Sequence, residues 1–321
     1  MGEHAHINTI NVSKLIRLLF LTLLIATALN SSSLYVKASA WEESPNKTIA
    51  LKILKPISNL TSFFGIDSLR TSSREAIGFN RDDKIDNFQF KISNEELVVT
   101  PSVTTIPKLT PDNKLTSWII GDSLAATPGE SLLSKLPISS FDVFGLDSRV
   151  STGLARPDVF NWFSYIQEFV QKNKPQTIII SIGANDDQSL YSENGSVGPF
   201  PNDAWVKEYS RRVNSTLDFL YSQKVYTLWV EIPPVRDPVR DARYQLINQI
   251  TKDAISKHPN SSSLVETKTA FTDPNGNYND SLYVNGQETL LRSPDGIHFT
   301  RAGGNLIADL VISKLHTLYD F

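Results

Sequence analysis

Ser123 stands where an apolar run stops: in SWIIGDSLAATPGE, residues 117–130, a strand-like stretch reaches Gly121 and is followed by Asp122 and Ser123. A small hydroxyl at the end of a buried strand, just before a helix start, is exposed in a crevice and close to unpaired backbone N–H groups. Serine is a weak nucleophile until a base takes its proton. Of the five histidines, His4 and His6 precede a long apolar segment, while His258 and His316 fall at a helix end and within the last helical stretch. Those two read as structural or solvated. His298 differs. It lies in RSPDGIHFTRAGG with Asp295 three residues earlier and a helix start just after. Such a turn lets the carboxylate accept one imidazole N–H while the other ring nitrogen faces Ser123, the arrangement of a serine triad.

Acyl chemistry of that kind also needs donors for the negative oxygen of a tetrahedral intermediate. In SIGANDD, residues 181–187, Gly183 and Asn185 fall at another strand end, where a side-chain amide can donate. In SRVSTGLARPD, residues 148–158, Gly153 lies in a loop after a strand, where a backbone N–H can approach without a Cβ in the way. The Ser123 N–H is the third expected donor. Taken singly, these residues also suit ordinary turns.

An alternation of strands and helices that begins near residue 115 must hold these groups together. Strand candidates run over 116–120, 140–145, 176–182, 225–231 and 263–268, and helical periodicity is clearest over 203–223, 239–257 and 301–318. Strands separated by enough chain for crossover helices argue an α/β fold with a parallel sheet covered on both faces. Active sites of such sheets collect at the strand carboxyl ends, where Ser123, Gly153 and Asn185 all fall.

Ahead of this domain, Lys14 and Arg17 precede LLFLTLLIATAL at 18–29, and ASA at 38–40 precedes Trp41, the order of a secretory signal. Residues 1–40 are expected to export the body to a periplasmic or other extracytoplasmic location, either cleaved after Ala40 or kept as an N-terminal anchor. Residues 41–114 read as a prelude. TIALKILKPISNLTSFFGIDSLR, broken by Pro56 and Gly65, suggests short helices that pack on the domain or lie on a membrane; LVVTPSVTTIPKLTPDNK at 97–114 reads as an extended connector. Residues 115–321 form the main domain. The net charge of -3 leaves no basic field for nucleic acid. The absence of cysteine excludes disulfides, a thiol nucleophile and a lipid-carrying cysteine. With no paired histidines in the body either, no metal is expected.

In order along the chain, Gly121-Asp122-Ser123-Leu124, Gly153, Gly183-Ala184-Asn185-Asp186 and Asp295-Gly296-Ile297-His298 resemble the four blocks of the SGNH/GDSL hydrolases. The resemblance spans residues 115–320. It implies Ser123 as nucleophile, Asp295 and His298 as the rest of the triad, and Gly153 and Asn185 with the Ser123 amide as the oxyanion hole. It also implies a flavodoxin-like three-layer sandwich with a five-stranded parallel sheet, and no cofactor. Between the blocks, STGLARPDVFNW, DAWVKEYSRRV, LWVEIPPVRDP and LLRSPDGIHFTRAGG are similar to an exported bacterial subgroup of that family, catalogued as a domain of unknown function.

The surroundings bear on the substrate. Arg156, Arg236 and Arg292 lie close to strand ends or to the catalytic loop, where they either bind a carboxylate or hydroxyl-rich substrate or pair with Asp158, Asp237 or Asp295. The loop at 186–205 carries Tyr191 and Phe200, which either cover a sugar ring or pack inward, whereas the aromatics of FNWFSYIQEF read as core. The expected function is a serine esterase outside the cytoplasm that removes small O-acyl groups from an envelope carbohydrate through an acyl-enzyme on Ser123. Its expected partners are a small acyl ester or an envelope glycan. The alternatives are an O-acyltransferase supplied by a membrane partner that delivers acyl groups, and a non-catalytic glycan-binding module.

Overall fold

The computed structural model describes residues 12–29, 45–63, 106–192 and 195–321, with isolated positions between 31 and 38. The chain divides into two compact units, Met1–Asp83 and Lys84–Phe321. In the first, helix α1 (Val12–Leu29) leaves Leu18, Leu19, Phe20, Leu21 and Leu23 exposed. Among the described residues no helix is long and apolar enough to cross a membrane. Helix α2 (Pro45–Phe63) continues through Pro56, so the expected break there is corrected to one helix of 19 residues. An internal proline removes one ladder hydrogen bond while the turns on either side keep theirs. A buried hydrogen bond of 2.6 Å joins the hydroxyls of Ser31 and Thr61, giving this unit a tertiary tie. Gly65 and the first part of the connector, 97–105, lie outside the described residues.

The second unit is built on strands β1 (Leu115–Gly121), β2 (Phe141–Ser148) and β3 (Thr177–Ser181), a small hairpin β4 (Leu190–Ser192) and β5 (Gly195–Gly198), then β6 (Tyr226–Val230) and β7 (Ser262–Val265). The main sheet has the order β2-β1-β3-β6-β7 with every pair parallel. Counting only its own strands, this is the 2-1-3-4-5 order of flavodoxin-like sheets, as the resemblance implied. Ile178, Ile179 and Ile180 of β3 are all fully buried, the mark of a central strand covered on both faces.

Helices α3 (Ala126–Lys135), α4 (Trp162–Asn173), α5 (Asp203–Ser222), α6 (Pro238–Ser256) and α7 (Arg301–His316) supply that cover, with α3 packed on α7 and α5 on α6. Their starts are written in the sequence. Asn161, Asn202, Asp237 and Thr300 each accept backbone N–H groups as N-caps of α4, α5, α6 and α7, and Pro238 opens α6. The aromatics Trp162, Phe163 and Phe169 of α4 are buried, as their reading as core required. A second hairpin, β8 (Ser281–Val284) and β9 (Gln287–Leu290), turns through Asn285 and Gly286 at φ 51° and 79°, the positive pair that an Asn-Gly turn supplies. The end of the connector is anchored. Leu109 is buried and its N–H donates to the Asp320 carbonyl at 2.8 Å.

Candidate active site

Gly121 ends β1 because nothing larger fits: a Cβ there would lie 2.0 Å from the Ser181 carbonyl oxygen of the neighbouring strand. The chain then turns through a single 3₁₀ turn, Ser123–Ala125, which leaves the Ser123 hydroxyl at the sheet's carboxyl edge. His298 Nε2 lies 2.9 Å from Ser123 Oγ, and His298 Nδ1 lies 2.6 Å from Asp295 Oδ2. The other Asp295 oxygen accepts the N–H groups of Ile297 and His298, each at 2.9 Å, so the carboxylate closes the turn that carries its own partner. Gly296, at φ +71°, supplies the left-handed residue this turn requires. Partial burial pushes the Asp295 pKa up, but the His298 hydrogen bond and the two backbone N–H groups outweigh it and bring it down to about 2. A permanent anion therefore holds the Nδ1 proton and leaves Nε2 to accept from serine.

The expected oxyanion donors sit on the ends of three adjacent strands: Ser123 after β1, Gly153 after β2, Asn185 after β3. The Asn185 side-chain amide donates to the Thr152 carbonyl at 2.9 Å, which ties the third loop to the second beside Gly153 and uses one of its two N–H groups. Among the described residues, the backbone N–H groups of Ser123 and Gly153 meet no protein acceptor. Gly153 is required for space as well, since a Cβ would stand 2.0 Å from Asp186 Oδ1.

Two further carboxylates belong to this region and were given no role from the sequence. Asp122 is fully buried; its Oδ1 accepts the Leu124 N–H at 2.9 Å and its Oδ2 accepts those of Gly183 and Ala184 at 3.0 Å. Burial raises its pKa to about 7 against the pull of those three bonds. Asp186 is equally sealed and accepts from Ala155 N–H at 2.8 Å, Leu154 N–H at 3.0 Å and the Tyr209 hydroxyl at 2.8 Å. Burial raises its pKa too, with the same kind of donors opposing. The one signal in the sequence is adjacency, since each acid directly adjoins a site residue, Asp122 beside Ser123 and Asp186 beside Asn185.

The three arginines expected near the substrate are occupied otherwise. Arg156 is buried, paired in a two-pronged bond with Asp158 at 2.8 and 2.7 Å, and reaches Gln188 at 3.1 Å. Gln188 in turn donates to the Asn185 carbonyl, so Arg156 braces that loop. Arg292 is buried against the rings of Phe271 and Phe299, each 4.7 Å away, and donates to the carbonyls of Ile297 and Pro234 rather than to Asp295. Burial lowers its pKa to about 10. Arg236 is half-exposed and pairs with Asp280 at 2.7 Å, not with Asp237, while its other branch donates to the Pro294 carbonyl at 2.7 Å. Both clamp the turn of Asp295 and His298. The aromatics of the 186–205 loop pack inward: Tyr191 is buried under Arg156, and Phe200 lies edge-on to Trp205 at 4.7 Å. His258, bonded to Asp218 at 2.7 Å, and His316, stacked on Phe321 at 4.1 Å, are structural.

A search of curated proteins finds no match to the chain. Solved structures that align with it include a GDSL-like lipase from Bacteroides thetaiotaomicron, 13% identical, covering 63% of this chain and 87% of that one with a TM-score of 0.43. A catalytic mutant of an acetylxylan esterase from Geobacillus stearothermophilus is 13% identical over 63% of this chain and 94% of its own, also with a TM-score of 0.43. The C-terminal catalytic domain of a peptidoglycan O-acetyltransferase from Streptococcus pneumoniae is 16% identical over 64% and 94%, with a TM-score of 0.39. Over residues 116–314, which hold all of the parallel sheet but the first residue of β1 and include every triad and oxyanion position, the chain matches the family described as "Protein of unknown function (DUF459)", and it belongs to that family.

Proposed function

We propose that the protein is a serine esterase acting outside the cytoplasm, where it removes small O-acyl groups such as acetyl from an envelope carbohydrate. The observation that carries this reading is the unbroken relay from Asp295 through His298 to Ser123, with hydrogen bonds of 2.6 and 2.9 Å. His298 takes the serine proton as Oγ attacks the ester carbonyl, and the N–H donors of Ser123, Gly153 and Asn185 receive the negative oxygen. The proton then passes to the departing sugar oxygen. Water, deprotonated by His298, attacks the acyl-enzyme and frees the acid.

One feature supports the substrate class. His298 and Asp295 side chains are each 45% exposed, an open setting that suits an ester carried on a bulky, hydrated glycan. The export reading is supported by Lys14 and Arg17 ahead of the exposed apolar face of α1. The same openness favours a second reading, an O-acyltransferase in which a glycan hydroxyl takes the place of water.

The test is acid release from acetylated envelope polysaccharides, measured with and without glycan fragments as acceptors. Free acetate should dominate in every mixture. Acylated fragments dominating at modest acceptor concentration would assign the transferase, and no acyl loss from any polysaccharide would remove the carbohydrate substrate.

A further inference from the structure

On the esterase reading above, three donors on three separate loops have to meet one oxygen, and a functional constellation tolerates errors of only about 0.5 Å. Two buried carboxylates span those loops. Asp122, adjoining Ser123, reaches from the β1 loop to the N–H groups of Gly183 and Ala184, just ahead of Asn185, while also holding Leu124 of its own loop. Asp186, adjoining Asn185, reaches from the β3 loop to the N–H groups of Leu154 and Ala155, just after Gly153. We propose that Asp122 and Asp186 are positioning residues of the oxyanion hole, each bridging from its own loop to the next so that the three donors are fixed as one unit.

The geometry around each acid leaves little slack. Gly153 lies against Asp186 so closely that no side chain could come between them. Tyr209, itself fully buried, adds its hydroxyl to Asp186 Oδ2. Arg212, also fully buried, donates to the Leu154 carbonyl at 2.6 Å and pairs with Glu208 at 2.8 Å, so it holds the same loop from the carbonyl side. A carboxylate is the group this arrangement requires, because it accepts on both oxygens. Asparagine keeps the size but offers one acceptor, and its NH₂ would face an N–H. The loop it held would then shift, and the loss would fall on the transition state, where the oxyanion exists, rather than on the bound ester.

The experiment uses the full-length chain, with folding of each variant checked by near-ultraviolet circular dichroism and rates expressed per folded molecule. Wild type is first labelled with a fluorophosphonate. Hydrolysis of a short activated acetate ester and affinity for a small boronic acid, which forms a tetrahedral adduct on serine, are then measured. Asp122→Asn and Asp186→Asn should each lower kcat roughly 10- to 100-fold, with KM nearly unchanged and boronate affinity falling in parallel. Tyr209→Phe removes one bond and leaves the carboxylate, so it should move kcat and boronate affinity the same way by about threefold. It carries the test if the asparagine variants do not fold. Normal kcat per folded molecule in these variants, with only thermal stability reduced, overturns the positioning role and leaves the esterase reading standing. Failure of wild type to label rejects the esterase reading, and this inference with it.

Discussion

Asp295 and Asp122 carry the same side chain into opposite surroundings on the two sides of Ser123. Asp295 is 45% exposed and bonded to His298, and its pKa falls to about 2. Asp122 is sealed beneath the β1 and β3 loops with three backbone donors and no histidine, and burial carries its pKa to about 7. On the proposed mechanism the hydrated carboxylate is the one coupled to the reaction, because its charge is present at every working pH. The buried ones organise backbone. Placement at the rim or beneath it, rather than residue type, separates chemistry from framework here.

The sharpest way to break that contrast is Asp295→Asn. It keeps the shape of the turn but loses the anion that fixes the imidazole tautomer, and activity on a short ester should fall on the order of 10⁴-fold. A loss below about tenfold would move Asp295 from the relay to the framework. Asn185→Ala should cost roughly 10²- to 10³-fold in kcat with the fold retained, since on the proposed mechanism its second N–H donates to charge that appears only in the transition state. Lost stability with normal activity in the folded fraction would make it a turn residue instead.

Arg292→Met keeps the contacts with Phe271 and Phe299 but removes the bonds to Ile297 and Pro234, so activity should fall about tenfold through a loosened His298. Unchanged kinetics would show that the turn holds without this clamp. Arg236→Ala, at the half-exposed partner of Asp280, should change kcat by less than about threefold. A larger loss confined to KM would return Arg236 to substrate binding.

Stability against pH gives the subtlest separation. For Asp295 the folded pKa lies below the ordinary 3.8, so its stabilisation is complete above that value and is lost as pH falls through about 2. For Asp122 the folded pKa lies above 3.8, so its contribution is complete below that value and is lost as pH rises through about 7. Melting temperatures of wild type and Asp122→Asn, compared from about pH 5 to 8, should therefore shift in the variant's favour as pH rises. A shift the other way contradicts the burial cost assigned to this group.

The sheet and the relay were legible in the sequence because each follows from local pattern. The apolar runs TSWII and QTIII read directly as buried strands, and Asp295 and His298 sit in one turn three residues apart. What escaped depends on contacts between distant segments. Nothing local shows that Arg236 prefers Asp280, 44 residues on, to its neighbour Asp237. Asp122 and Asp186 look like ordinary loop acids until the loops they bridge are brought side by side. Pro56 does not end α2, because an internal proline removes a single ladder hydrogen bond and the remaining turns of the 19-residue helix keep theirs. The hairpin β8–β9 is marked in the sequence by its Asn285-Gly286 turn alone, its strands of four residues being too short to show alternation.

The central claim is that Ser123 carries the acyl group between two half-reactions. Mixing the protein with a short activated acyl ester, quenching within the first turnover and mapping the peptides by mass spectrometry tests it directly. The account predicts a single acyl adduct on the peptide containing Ser123, absent in Ser123→Ala together with the turnover. An adduct elsewhere that accounts for the turnover, or undiminished hydrolysis by Ser123→Ala, would contradict it.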